Sequence, residues 1–170
     1  MGKMEKDHRY PERKIIRLRS YNYNTQGTYF LTLCAEKRAP IFGRVVGGGV
    51  LDAPQVELSK IGKIIKEHIL TLDSLEYAEV ERWVIMPNHL HLLITVHERN
   101  GTSRTPSPTN TTIPHIVSTF KRLINRRIGF SVFQRSYYDH IVRNEEDYLR
   151  IREYIDNNPA RWKEDQYFSS

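Results

Sequence analysis

Two histidines stand one residue apart in the segment MPNHLHLLITV, residues 86–96. Successive side chains of a β-strand point to opposite faces, so His89 and His91 would project together from one face. The other face would carry apolar residues: Leu90, Leu92, Ile94 and Val96. In a helix the two histidines would lie about 200° apart around the axis. Because two imidazoles on one face can share a divalent cation, the pattern predicts a metal-binding pair on a strand, with a chance pair among seven histidines as the alternative.

A reacting group and a further ligand are offered by the segment REYIDNNPARW, residues 152–162. Tyr154 and Asn158 are four residues apart and would be neighbours on one helical face. A tyrosine hydroxyl can attack a phosphodiester when a cation polarises the phosphate, and Asn158 could add a carbonyl oxygen ligand. With ten tyrosines in the chain, a tyrosine that only packs against the core is the alternative for Tyr154.

The elements that must position these residues follow from hydrophobic periodicity and capping signals. The pattern predicts strands at 28–37, 79–86, 89–96 and 132–142, helices at 58–72 and from Thr112 onward, and a last helix from Asn144 to about Pro159. The order β-α-β-β-α-β predicts an α+β protein with a ferredoxin-like, split βαβ antiparallel sheet. The last helix, which carries Tyr154, is an addition to that core.

Length and composition favour one domain, since 170 residues with 39% hydrophobic residues can bury a full core. We expect a basic N-terminal extension over residues 1–26 and a single domain over residues 27–165. Residues 97–112 are rich in Gly, Pro, Ser, Thr and Asn, which predicts a flexible loop within that domain.

The net charge of +6 and the pI near 9.5 favour a polyanionic partner. Two groups of basic residues are candidates for contacting DNA: Arg13, Lys14, Arg17 and Arg19 before the first strand, and Lys121, Arg122, Arg126 and Arg127 on the second helix. Nearby tyrosines would suit stacking on unpaired bases. A solvated tail is the alternative for the first group.

Neither a membrane span nor a secretory signal is predicted, because no apolar run approaches about 20 residues and the N-terminus is polar. We therefore expect a cytoplasmic protein without a membrane partner. The single cysteine, Cys34, excludes an internal disulfide framework and a zinc site built from several cysteines.

The motifs MPNHLHLL and RSYYDHIVRNEEDYLRIREYIDNNPARW together resemble the REP-associated tyrosine transposases, which are relatives of the single-tyrosine HUH transposases. The resemblance runs from about Arg17 to Trp162. It implies that His89 and His91 are the metal-binding HUH pair, that Tyr154 is the nucleophile, and that Asn158 completes the metal site. Asparagine, where insertion-sequence enzymes carry glutamine, is the pattern of the REP-associated branch.

The resemblance implies an enzyme that cleaves and rejoins single-stranded DNA beside a hairpin, through a 5′-phosphotyrosine and a free 3′-hydroxyl. It also implies a divalent cation, Mg²⁺ or Mn²⁺, single-stranded or hairpin DNA as partner, and a monomer or a homodimer. The recognised DNA sequence stays open.

Other classes of phosphate enzyme fit the sequence less well. A histidine-triad hydrolase needs a third histidine, where this chain has Leu93, and a two-histidine phosphoesterase needs H-x-S/T, where this chain has His91. Replication initiators of the HUH type often carry two tyrosines in YxxxY, and here the second position is Asn158. The alternative from another class is a hairpin-binding protein on the same fold without catalysis.

Overall fold

A computed structural model describes residues 26–48, 52–72, 74–97 and 112–168. Its elements, in chain order, are strands β1 (Gly27–Cys34), β2 (Gly43–Val46) and β3 (Gln55–Leu58), helix α1 (Lys60–Leu72), strands β4 (Ala78–Ile85) and β5 (His89–Val96), helix α2 (Thr112–Ile128), strand β6 (Tyr138–Ile141) and helix α3 (Glu145–Asn157). Among these residues, no helix combines the length and the apolar composition needed to cross a bilayer. The predicted N-terminal extension, apart from Gln26, and residues 98–111 of the predicted loop lie outside the described residues.

Four strands form one antiparallel sheet in the order β4-β5-β1-β6. Together with α1 and α2 this is the ferredoxin-like, split βαβ arrangement, which confirms the predicted fold class. Strands β4 and β5 form an antiparallel hairpin, with Trp83 opposite Leu92 and Ile85 opposite Leu90. His89 and His91 lie at the beginning of the inner strand β5, beside Cys34 and Thr32 of β1.

The sheet is covered on both faces, so β5 is buried along almost its whole length. On one face, α1 and α2 pack against residues such as Leu31, Leu90 and Leu92 in the larger hydrophobic cluster. On the other face, Ile151 and Ile155 of α3 join a smaller cluster whose sheet residues are Phe30 and Leu93. Helix α3 therefore covers the face from which the two histidines project.

Local interactions define where α3 begins and how it is attached to the sheet. The Asn144 side chain accepts a hydrogen bond from the backbone N–H of Asp147 at 2.9 Å, as an N-cap residue should. Three acidic residues occupy the first turn, which favours the helix dipole. Tyr148 donates a hydrogen bond to Glu81 at the β-bulge of β4, and this bond ties the first half of α3 to the sheet.

Two predicted strands have wrong boundaries, and one hairpin was not predicted. The first strand ends at Cys34 instead of residue 37. The fourth predicted strand is shortened to β6, and before it only an isolated bridge joins Ala35 and Phe133 among the described residues. The carbonyls of residues 134–136 accept hydrogen bonds from the Lys121 ammonium instead of continuing the strand. The short hairpin of β2 and β3 was not predicted.

Gly62 of α1 is required by a close approach of two backbone segments. A Cβ atom at this position would lie 2.0 Å from the carbonyl oxygen of Phe42. The glycine that weakens the helical propensity of α1 therefore allows the helix to pack beside the chain that enters β2.

Candidate active site

The two histidines are buried side by side, with 0% and 1% of their surfaces exposed. Their Nε2 atoms are 3.0 Å apart. Burial lowers the pKa of His89, and burial followed by the neighbouring His89 lowers the pKa of His91 well below its usual value. Both imidazoles are therefore neutral near pH 7, which is the form that binds a metal.

The Nδ1 atoms of the two histidines are held by polar side chains from the adjacent chain segments. The Asn88 amide donates to the carbonyls of Arg38 (3.2 Å) and Tyr167 (2.7 Å), so its Oδ1 faces His89 Nδ1 at 2.9 Å. An amide oxygen can only accept, hence His89 carries its proton on Nδ1 and presents a lone pair at Nε2. His91 Nδ1 lies 2.8 Å from the Thr32 hydroxyl, which can accept in the same way.

A third candidate ligand, Asp165, comes from the segment after α3 and was not predicted. Its Oδ2 lies 3.9 Å from His89 Nε2, and its side chain is 2% exposed. Its Oδ1 accepts a hydrogen bond of 2.7 Å from the Tyr167 backbone N–H, which fixes the carboxylate. The sequence of residues 162–168 has no periodic pattern that would predict how this segment folds. An acidic residue in it therefore gave no reason to predict that Asp165 lies at the histidines.

The donor set of His89, His91 and Asp165 fits a divalent cation. One ligand atom from each residue can be chosen so that all three lie within 4.8 Å of one another. Two nitrogens bound at about 2.1 Å to one ion at angles between 90° and tetrahedral are about 3.0–3.4 Å apart, and the observed Nε2 separation is 3.0 Å. With both Nδ1 positions oriented by partners, the cluster is a candidate divalent-metal site.

Tyr154 lies at this site, on the exposed turn of α3 that faces the histidines. Its hydroxyl is 3.4 Å from His91 Nε2 and donates to Asp165 Oδ2 at 3.2 Å. Its ring packs edge-on against Phe30 and His91, with centroid distances of 6.0 and 5.2 Å. Burial, followed by the Asp165 carboxylate, raises the pKa of Tyr154 to about 12. The phenol is thus protonated near pH 7, although 36% of the residue remains exposed.

Asn158 follows the last turn of α3 and is buried beside the same carboxylate. Its Nδ2 donates to Asp165 Oδ2 at 3.2 Å. Its Oδ1 is buried and has no hydrogen-bond partner among the described residues. A buried acceptor without a partner is costly, and a cation could satisfy this oxygen. The structure thus brings together all four residues predicted for the site, His89, His91, Tyr154 and Asn158.

Tyr167 covers the histidine pair from the C-terminal segment and was also not predicted. Its ring centroid lies 4.6 Å from that of His89, and the Arg38 guanidinium lies 5.4 Å from its ring. Burial, followed by nearby Cys34 and Asp165, raises the pKa of Tyr167. Tyr167 therefore shields His89 from solvent while Tyr154 remains accessible.

An open cleft of about 630 Å³ leads from Tyr154 and His91 toward the edge of the sheet. Its floor includes Phe30 and Thr32 of β1, and its wall on the edge strand includes Tyr138. A cleft of this size can hold a small segment of an extended ligand. The candidate nucleophile is therefore reachable from solvent through this cleft.

The predicted DNA-contacting residues do not gather at this site. Arg13, Lys14, Arg17 and Arg19 lie outside the described residues, and α2 packs on the opposite face of the sheet. Of the four basic residues predicted on α2, Arg122, Arg126 and Arg127 are exposed. Arg127 Nη1 donates to Glu67 Oε2 at 2.6 Å, which leaves Arg122 and Arg126 as the α2 arginines without a described ion pair.

The partly buried side chain of Lys121 binds backbone carbonyls of its own chain. Its ammonium donates to the carbonyls of residues 134, 135 and 136 at 2.7, 3.3 and 3.2 Å. These bonds use all three N–H groups, and burial lowers its pKa to about 8. Lys121 thus fixes the chain segment before β6 by hydrogen bonds. Arg122 and Arg126 form no ion pair with the described residues and can contact a phosphate.

Comparison with known proteins gives a family assignment. A family model described as "Transposase IS200 like" matches residues 54–158, which include the histidine pair and Tyr154. An uncharacterized protein of Haemophilus influenzae is 34% identical over 174 residues, which covers 92% of this chain and 93% of that protein. The solved structure of a REP-associated tyrosine transposase bound to a REP hairpin has a TM-score of 0.60 and 19% identity, covers 85% of this chain and 73% of that one, and shares its fold. The resemblance inferred from the motifs is thus confirmed, and the chain belongs to the family of IS200-like transposases.

Proposed function

We propose that this protein is a single-tyrosine HUH transposase of the REP-associated branch, which cleaves and rejoins single-stranded DNA beside a hairpin. The observation that carries the proposal is the position of the Tyr154 hydroxyl, 3.4 Å from His91 Nε2 within the histidine and carboxylate cluster. A nucleophile next to a candidate cation site is an arrangement suited to phosphodiester cleavage by tyrosine.

In the proposed reaction, the Tyr154 oxygen attacks the scissile phosphorus and forms a 5′-phosphotyrosine. The bond from phosphorus to the 3′ oxygen breaks, and the net proton passes from the phenol to that oxygen, giving a free 3′-hydroxyl. Because the pKa of Tyr154 is raised to about 12, the phenol needs a proton acceptor during attack. The Asp165 carboxylate already accepts the phenol hydrogen bond and can receive the proton. Attack by a second 3′-hydroxyl reverses these bond changes and rejoins the DNA.

His89 and His91 would hold Mg²⁺ or Mn²⁺, with an oxygen ligand from Asn158 or Asp165. When bound, the cation would act as a Lewis acid on a phosphate oxygen. The buried Oδ1 of Asn158, for which the described part of the chain offers no hydrogen-bond partner, and the carboxylate of Asp165 are candidate oxygen ligands, and such oxygens suit these two ions.

A REP-type hairpin is the proposed DNA, because the solved transposase that shares this fold is bound to a REP hairpin. The basic N-terminal residues Arg13, Lys14, Arg17 and Arg19, together with Arg122 and Arg126 of α2, would contact phosphates. Tyr154 and the cleft would take the unpaired strand beside the hairpin.

The test uses hairpins from the DNA that flanks the gene, each with unpaired extensions and labelled at the 5′ or the 3′ end. Incubation with Mn²⁺ should give a covalent adduct that carries the 3′ label, while the 5′ label is released with a free 3′-hydroxyl. Tyr154→Phe should give no adduct and bind the hairpin as before, because its ring still packs on Phe30.

Tyr148→Phe is the matched control, since it removes a hydroxyl from the same helix but from the Glu81 contact. It should form the adduct. Hairpin binding by the wild-type protein without an adduct would favour the non-catalytic alternative, and an adduct carrying the 5′ label would exclude the proposed polarity.

A further inference from the structure

The cleft beside Tyr154 is built on a row of side chains that crosses the sheet. Thr32 of β1 is in register with His91 on one side and with Tyr138 of β6 on the other. Antiparallel cross-strand partners project from the same face, and the Thr32 hydroxyl contacts His91 Nδ1 at 2.8 Å. Tyr138 therefore stands one strand beyond Thr32, at the outer end of the row that begins at the metal pair.

Tyr138 is an exposed aromatic residue of the edge strand β6. It is 47% exposed, lies on the edge strand and lines the cleft together with Phe30 and Tyr154. The lining also includes two arginines and three acidic residues: Arg150, Glu153, Arg161, Glu164 and Asp165. A flat aromatic surface at an open cleft suits a planar ligand.

The charges of the cleft favour a particular placement of such a ligand. Three carboxylates, of Glu153, Glu164 and Asp165, line the cleft against two arginines, so an uncharged base fits this lining better than an additional phosphate does. Both arginines are exposed: Arg161 can meet a phosphate beside the base, and Arg150, whose side chain is 71% exposed, has further N–H groups besides the one paired with Asp147. The cleft volume of about 630 Å³ leaves room for one nucleotide next to the scissile phosphate.

We propose that the cleft binds one unpaired nucleotide flanking the scissile phosphate, with its base stacked on Tyr138. This inference rests on the proposed function, and it adds a substrate contact that places the phosphate in front of Tyr154. Stacking on an aromatic ring tolerates any base, so Tyr138 contributes affinity and position more than sequence recognition.

Binding is measured in the non-cleaving Tyr154→Phe background, with a hairpin that carries unpaired extensions on both sides. Each extension base is replaced in turn by an abasic site. One abasic position should lower affinity about 5- to 100-fold, the fold-change that corresponds to loss of a stacked base. Tyr138→Leu should cause a similar loss with the intact hairpin, and the two changes together should cause no further loss. Tyr138→Trp should retain the affinity.

Phe130→Leu is the matched control, because Phe130 is an exposed aromatic residue beyond the end of α2 and does not line the cleft. It should bind as the background does. The inference would be overturned if Tyr138→Leu bound the hairpin with unchanged affinity. It would also be overturned if the losses from the abasic site and from Tyr138→Leu added in full. Either result would leave the proposed function intact. Failure of the background protein to bind any hairpin would overturn both.

Discussion

Asn88 and His89, neighbours in the sequence, are joined by a hydrogen bond of 2.9 Å between the amide Oδ1 and the imidazole Nδ1. The Asn88 amide is fixed in turn by the carbonyls of Arg38 and Tyr167. The bond therefore assigns the tautomer of His89 and directs its Nε2 lone pair toward His91 and Asp165. Asparagine before the first histidine thus has a physical role in preparing the cation site.

Replacing Asn88 should weaken cation binding itself, which can be measured in the absence of DNA. Asn88→Leu should lower the affinity for Mn²⁺ about 10- to 100-fold, as loss of a partner to a ligating histidine does. Asn88→Asp still accepts from Nδ1, so it should bind Mn²⁺ within a few-fold of wild type despite lower stability. Titration calorimetry measures both affinities, and ¹⁵N NMR of the imidazoles should show the Nδ1–H tautomer for His89. Equal Mn²⁺ affinity of Asn88→Leu and wild type would contradict this role.

Cation binding should stabilise the folded protein through the histidine pair. Mn²⁺ at 100 times its Kd should raise the free energy of unfolding of wild type by about 2.7 kcal/mol. His91→Ala should lose this increase, and because His91 is buried it should also cost about 2–4 kcal/mol without metal. His115→Ala, which changes an exposed histidine of α2, should keep the increase. Denaturant unfolding with Mn²⁺ or EDTA tests this, and equal stabilisation of His91→Ala would place the ion elsewhere.

Asp147 should contribute stability that disappears in acid. A hydrogen bond from His140, together with further bonds from Arg150 and Arg143, lowers the pKa of Asp147 to about 2. A carboxyl whose pKa is lower when folded stabilises the protein above its unfolded pKa of about 3.9, and this stability is lost as pH falls toward 2.

The expected result is a lower Tm for Asp147→Asn than for wild type at pH 5, with a difference that shrinks between pH 4 and pH 2. Glu145→Gln is the control in the same first turn of α3 and should show no such convergence. A difference between Asp147→Asn and wild type that stays constant with pH would contradict the assignment.

The basic N-terminal segment should account for much of the salt dependence of DNA binding. If Arg13, Lys14, Arg17 and Arg19 each contact a phosphate, removal of residues 1–20 should reduce the log–log salt slope by about 3 to 4. The double variant Arg122→Ala/Arg126→Ala should reduce it by about 1.5 to 2 if both arginines contact DNA. Hairpin affinity measured from 50 to 300 mM salt tests both. An unchanged slope after truncation would assign the DNA contact to other surfaces.

Sequence reasoning succeeded where periodicity and local chemistry dominate. The alternation of β5 predicted that His89 and His91 share a face, and the capping residue Asn144 predicted the start of α3. The four-residue spacing of Tyr154 and Asn158 predicted that they are neighbours on one helical face, and in the structure this face meets the histidine and carboxylate cluster.

The parts that sequence reasoning missed depend on tertiary contacts. Asp165 and Tyr167 reach the site because the chain after α3 folds back onto Asn88, a contact between residues 79 positions apart. The late beginning of β6, at Tyr138, accompanies contacts of the partly buried Lys121 with the carbonyls that precede it, and the charge of Lys121 alone suggested a surface role. Strands β2 and β3 have four residues each, the lower limit of length at which alternation indicates a strand.

In the proposed reaction, Tyr154 is the residue that becomes joined to DNA. Mass spectrometry of the covalent adduct, after digestion of the protein by a protease and of the DNA by a nuclease, tests this assignment directly. We expect one modified peptide, with a nucleotide attached through its 5′-phosphate to Tyr154. Attachment to Tyr148, Tyr167 or any other residue would contradict it.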